Sequence, residues 1–122
     1  MIFKENNSIY LQIGERVCEE ILKGRYPEGG RIPSVRDYAV MVEVNVNTMV
    51  KVYEHLERQG VIHAKRGLGY FVSEGAVDLL RENKRNTFLA ELWPEVLRQA
   101  ELLGISRQEL MAAFDKVDAI EL

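Results

Sequence analysis

Apolar residues recur at spacings of three and four along most of this chain, and short strand-like runs interrupt the pattern once. Over 9–23, Ile9, Ile13, Val17 and Ile21 mark one face, with Tyr10, Cys18 and Leu22 beside it. That spacing predicts an amphipathic helix. Ser8 stands in the N-cap place, and Gly24, Pro27, Gly29 and Gly30 close the pattern in a turn. Ile32 precedes Pro33 and is expected to be extended. Ser34 opens a second helix, with Asp37 three residues on as a weaker form of the Ser-x-x-Glu capping box. Val35, Tyr38, Ala39 and Val42 point inward from it. Glu43-Val44 is a turn, and Asn45 caps a third helix that runs to about Gln59. Its apolar positions are Met49, Val52, Tyr53 and Leu56, and Gly60 stops it.

The period then changes. Val61, Ile62, His63 and Ala64 read as one short strand, and Gly69, Tyr70, Phe71 and Val72 as another. Between them Lys65, Arg66, Gly67 and Leu68 form a basic, glycine-bearing tip. Beyond Gly75 helical spacing returns through Val77, Leu80, Phe88, Leu89, Leu92 and Val96, as a broken stripe reaching about Leu103. Pro94 interrupts this stripe, either kinking one helix or starting a new one, and Trp93 before it favours a bend. Leu103-Gly104-Ile105 is a turn. Ser106 and Glu109 make a capping box for a last helix whose buried face is Leu110, Met111, Phe114 and Val117. The fold class is therefore mainly α with a small β-hairpin, divided into 1–73 and a helical tail over 74–122.

Charge changes the picture only when it is divided along the chain. The 122 residues carry a net charge of −3, an unpromising balance for binding a polyanion. Residues 1–73, however, hold ten Lys and Arg against nine Asp and Glu, whereas 74–122 hold six against ten. The acidity belongs to the tail, and local clustering of cations matters more than the total. Cys18 is the one cysteine, so neither an intrachain disulfide nor a multi-cysteine metal site is expected, and a buried thiol is the plain reading. No run of about eighteen apolar residues predicts a membrane span. The N-terminus shows no basic-then-apolar leader, so the expected location is the cytoplasm.

Three helices followed by a hairpin, with a very short turn between the second and third, is the layout of a winged helix-turn-helix. The residues that decorate it suit a DNA duplex. Asn45, Asn47 and Thr48 expose amides and a hydroxyl at the start of the third helix, where base edges are met. Free N–H groups at that helix start also suit a phosphate. Lys51 lies one turn beyond Asn47 on the same face. Arg36 sits in the first turn of the second helix. Arg66 and Gly67 at the hairpin tip suit a minor groove, where arginine is favoured and glycine permits close approach.

Residues 9–72 resemble the N-terminal domain of GntR-type bacterial regulators. The likeness is carried by Ile9-Tyr10-Leu11-Gln12-Ile13, by Gly24, Pro27 and Gly29, and by Arg31-Ile32-Pro33-Ser34-Val35-Arg36. It continues through Val44-Asn45-Val46-Asn47-Thr48, Tyr53, Leu56, Gly60-Val61-Ile62, Arg66-Gly67 and Gly69-Tyr70-Phe71-Val72. The short tail resembles the YtrA subfamily, which lacks a large ligand-binding domain and uses two tail helices chiefly to build a dimer. The resemblance implies that Arg36 contacts DNA from the second helix, that Asn45, Asn47 and Thr48 contact it from the recognition helix, and that Arg66 and Gly67 do so from the wing. The full set of expected contacts adds Ser34, Lys51, Tyr53 and Lys65. Expected dimer residues are Leu80, Phe88, Leu89, Leu92 and Val96. Two departures stand out. Glu43 replaces the glycine usual in the turn, and Val46 and Val50 stand where some subfamilies carry arginine.

No catalytic set is visible, so an enzyme is not expected. His55 and His63 are not paired at helical spacing, which leaves no metal site to expect, and Gly67-x-Gly69 lacks the rest of a phosphate loop. No cofactor is implied. Trp93 and Phe88 suit dimer packing better than an effector pocket, and a small-molecule effector stays open. The expected partners are a double-stranded, partly palindromic DNA operator and a second copy of the chain, in the manner of a repressor. The alternative is a winged-helix module that binds protein rather than DNA, with its acidic tail as the interaction arm.

Overall fold

The computed structural model describes residues 8–118, with side chains through Lys116. The elements run α1 (Ile9–Leu22), α2 (Val35–Val42), α3 (Val46–Arg58), β1 (Ile62–Lys65), β2 (Gly69–Val72), α4 (Ala76–Thr87), a π-helical turn (Phe88–Leu92), α5 (Trp93–Leu102) and α6 (Arg107–Asp118). Two compact units divide them, one over 8–85 and one over 86–118.

In the first unit, the predicted faces of three helices meet. Val17 and Ile21 of α1, Tyr38 and Ala39 of α2, and Met49, Val52, Tyr53 and Leu56 of α3 are all buried. Val61, Ile62 and Val72 close this core from the hairpin side. Ala76 and Leu80 of α4 join it as well, which is why the unit carries on beyond 73. Lys84 of α4 also pairs with Glu15 of α1. Cys18 is buried in the same core, and burial, helped by the Glu15 carboxylate, pushes its thiol up to about 11. It is a small apolar filler and a poor nucleophile.

The helix starts use the expected chemistry, with one exception. The Ser34 hydroxyl accepts the Asp37 N–H at 3.1 Å, and Asn45 Oδ1 accepts the Asn47 N–H at 2.7 Å. Ser8 has extended N-cap geometry but makes no side-chain cap bond. The strands pair antiparallel with Ile62 opposite Val72 and Lys65 opposite Gly69, one residue beyond the predicted first strand. The stretch before α2 adds to this sheet: Gly29 N–H donates to Val72 O, Val72 N–H to Gly30 O, and Ile32 N–H to Tyr70 O.

The second unit departs further from expectation. At Pro94 the backbone stays helical, but the turn before it widens, and the Trp93 N–H reaches back to Phe88 O, five residues away. Proline brings no N–H and its ring crowds the preceding turn, and a π turn absorbs that mismatch. The capping box of α6 forms in both directions, with Ser106 N–H on Glu109 Oε1 and Glu109 N–H on Ser106 Oγ. Its apolar face is not buried in the single chain. Leu110 is half-buried, Met111 and Phe114 are exposed, and the Val117 side chain lies outside the described residues. The helical spacing marks that face as apolar, and among the described residues Met111 and Phe114 stay exposed on it.

Candidate nucleic-acid interface

The short link between α2 and α3 sets this site. Glu43 ends α2 in the left-handed region, at φ 57 and ψ 48, and its neighbour Val44 donates back to Ala39 O. One residue later Asn45 caps α3. Among the described residues Glu43 is the one non-glycine with positive φ, and its side chain is exposed. The sharp reversal is therefore made without the glycine that would suit it.

The outer side of α3 presents Asn45, Val46, Asn47, Val50 and Lys51, all exposed, with Thr48 half-buried. Asn45 uses its side-chain oxygen on the Asn47 N–H, so its amide NH2 is the group left to meet a partner.

Tyr53 does not belong to the contact set. It is fully buried, and its hydroxyl donates to Pro33 O at 2.5 Å. Burial, more than the neighbouring tyrosines, raises its pKa. Its ring meets Tyr70 of β2 edge-on at 4.9 Å and Tyr38 of α2 at 6.3 Å. Tyr53 thus joins the wing, α3 and the start of α2 through packing, and acts as a positioning residue. The helical period had placed it inward, and the family motif alone had suggested contact.

Ser34 is half-buried and holds the start of α2, while Arg36 is exposed in its first turn. An open groove of about 520 Å³ lies beside this start, lined by Tyr26, Arg31, Ile32, Pro33, Ser34, Asp37 and Met41. Arg31 is a candidate that the sequence reading noted only as part of a motif. Its guanidinium packs on Gly69, where an added Cβ would stand 3.0 Å from Nε. Glycine at the base of the wing makes room for that cation. The hint in the sequence was an arginine and a glycine far apart, which only the sheet brings together.

At the wing, Lys65 lays its ammonium 4.4 Å from the centre of the Phe71 ring. Arg66, Gly67 and Leu68 form the exposed tip, closed by Leu68 N–H to Lys65 O, with Gly67 at φ 76. A three-residue loop with glycine in the left-handed region is a common hairpin closure. On β1 and beyond, His63 Nδ1 lies 3.1 Å from Ser73 Oγ in a half-buried local contact.

The other missed residue is Glu28. Its two carboxylate oxygens accept the N–H groups of Gly75 and Val77, both at 2.9 Å. These bonds hold its pKa below the ordinary range. Glu28 is a remote cap for α4. The signal was negative: no Ser, Thr, Asp or Asn stands directly before Ala76.

Of the expected dimer residues, Leu80 is spent in the first unit's own core. Its helical spacing was read correctly, but its face turns toward the three-helix core. Phe88 and Leu89 are exposed at 48% and 58%, and Leu92 and Val96 are half-buried. Trp93, Leu97, Leu102 and Leu103 are also exposed. Glu95 is held at about 2 by hydrogen bonds from Arg98 and Gln99. Among the described residues no helix is long and apolar enough to cross a membrane, and no cluster of three potential metal ligands occurs.

Comparison with known proteins adds an independent line. Residues 9–72 match the family model for bacterial regulatory proteins of the gntR family. The chain is similar to the HTH-type transcriptional repressor YtrA of Bacillus subtilis, 34% identical over 95% of this chain and 88% of that protein. It is also similar to a solved GntR-family structure from Bacteroides thetaiotaomicron. That match is 45% identical with a TM-score of 0.74, over 92% of this chain and 97% of the other. YtrA from Sulfolobus acidocaldarius, a GntR-family transcription factor, aligns over 96% of this chain and 93% of its own at 26% identity and a TM-score of 0.53. These relatives are transcriptional regulators, not enzymes.

Proposed function

The chain belongs to the GntR family of bacterial regulatory proteins, and from that premise we propose that it is a DNA-binding transcriptional regulator that acts as a homodimer. The observation that carries this reading is the exposed polar start of α3, set off by the Glu43 turn and accompanied by exposed Arg36, Lys51, Lys65 and Arg66. Two such helices would enter successive major grooves about 34–36 Å apart on a partly palindromic operator. Asn45, Asn47 and Thr48 would supply sequence choice, with Ser34, Arg36, Lys51, Lys65, Arg66 and Gly67 meeting backbone and groove. Arg31 joins them at the wing base. The copies would meet through the exposed apolar stripe of Phe88 and Leu89 with Leu92 and Val96. Binding at a promoter in the cytoplasm would block transcription, as the name of the Bacillus subtilis relative, a repressor, suggests.

The test is binding to duplexes selected from a random pool. Affinity should fall steeply with salt, because cations displace counterions from phosphate. Arg36→Ala and Arg66→Ala should each weaken binding about tenfold or more while circular dichroism stays unchanged. Folded variants with parental affinity would remove these contacts from the reading. A second reading, a protein-binding module, is favoured by Val40, 76% exposed on α2 beside exposed Met41. Salt-insensitive indifference to DNA would select it.

A further inference from the structure

The third helix carries two residues that neither its fold nor its polar chemistry explains. Val46 and Val50 are 39% and 37% exposed on α3. The core side of that helix is already complete with Met49, Val52, Tyr53 and Leu56. The cap is made by Asn45. Valine is also a poorer helix former than the lysine, glutamine or arginine usual on an exposed face, so local helix stability does not account for the pair.

Resting on the reading of α3 as a recognition helix, we propose that Val46 and Val50 are specificity-determining residues that pack on thymine methyl groups in the major groove. Every other group the bases present there is polar: the N7 and O6 acceptors of guanine, the N4 donor of cytosine, and the N7 and N6 groups of adenine. The thymine 5-methyl is the one apolar target. A branched side chain without a donor also disfavours guanine, whose acceptors would lose water and gain no partner. The two valines are one turn apart, about 6 Å along the helix axis, against a base-pair rise of about 3.4 Å. They therefore address positions about two steps apart. Asn47 and Lys51, exposed on the same helix, flank them with an amide suited to adenine and a cation suited to phosphate. Each half-site carries A·T pairs where the valines touch.

The experiment uses the full chain and the duplexes it selects from a random pool. Each thymine of a selected half-site is replaced in turn by uracil, which removes the methyl and nothing else. Two positions per half-site should lose about fourfold in affinity each, the worth of one buried carbon. In Val50→Ala the uracil effect should vanish at one of these positions, and in Val46→Ala at the other. Both valines are exposed, so both variants should keep the parental circular dichroism spectrum. Uracil without effect, equal uracil losses in parent and variants, or G·C pairs at the valine positions would overturn the assignment. If binding is salt-dependent and weakened by Arg36→Ala yet indifferent to uracil, only the valine assignment falls. If no duplex is enriched, the DNA-binding reading falls and takes this one with it.

Discussion

Glu43 sits at φ 57, a conformation in which a side chain crowds the following carbonyl. Glycine adopts it without that clash, though it loses more freedom on folding. Glu43→Gly should therefore raise stability by about 0.5–1 kcal/mol in urea unfolding, whereas Glu43→Ala, which keeps the clash, should not. Tyr53→Phe works in the other direction. It removes the hydroxyl that donates to Pro33 O and should lower stability by about 1 kcal/mol. The fully buried Tyr38, whose hydroxyl has no hydrogen-bond partner among the described residues and is pushed up to about 12 mainly by burial, offers the control. Tyr38→Phe should be neutral or stabilising in the same measurement. Single positions were legible in the sequence where one local rule governs them. Asn45 as a cap and Glu43 as a turn residue are of that kind. Tyr53 was not, because a motif position and a core position can coincide and only burial separates them.

At the level of elements, periodicity placed α1, α2 and α3 and the hairpin to within a residue or two, since each buries a face within its own unit. The links between elements were hidden. Glu28 caps α4 from 47 residues away, and no window of sequence contains both partners. Its carboxylate is held below the ordinary value near 4.5 by the Gly75 and Val77 N–H groups. A lowered folded pKa gives stability that is fully present above the unfolded value and is lost as pH falls through the folded one. The melting-temperature gap between the parent and Glu28→Gln should thus be full above the ordinary carboxylate value near 4.5 and shrink as pH falls below it. A gap that is flat with pH would remove the charged cap from the account. The proline in the tail shows a different gap in legibility. A bend and a new helix were both consistent with Trp93-Pro94, and the chain adopts a π turn, in which the Trp93 N–H bypasses one residue.

At the scale of the whole molecule, the described part of the tail keeps much of its apolar surface exposed. Phe88, Leu89, Trp93, Leu97, Met111 and Phe114 are exposed, and large apolar side chains left exposed in such number point to an interaction site where they form one patch. Sequence periodicity marks Phe88, Leu89, Met111 and Phe114 but carries no information on what covers them, because a stripe turned toward a partner and one turned toward a core share the same spacing. The full-length chain with Phe88→Glu and Leu89→Glu should sediment as a monomer while its helical content is kept. Operator affinity should fall at least a hundredfold, since two linked reading heads become one. A double variant that remained dimeric would move the interface elsewhere on the tail.

The placement of α4 bears on how such regulators can be recombined. Ala76 and Leu80 complete the three-helix core, Lys84 holds Glu15, and Glu28 holds the helix start. A chimaera that receives a foreign tail at position 73 would inherit a hollow where Leu80 sat and a carboxylate with nothing to cap. Moved to just after Arg85, the seam keeps this inner socket with the first unit, and only the apolar surface proposed to meet a second copy is exchanged. The modular joint of this protein thus lies inside a helix rather than in the loop that precedes it.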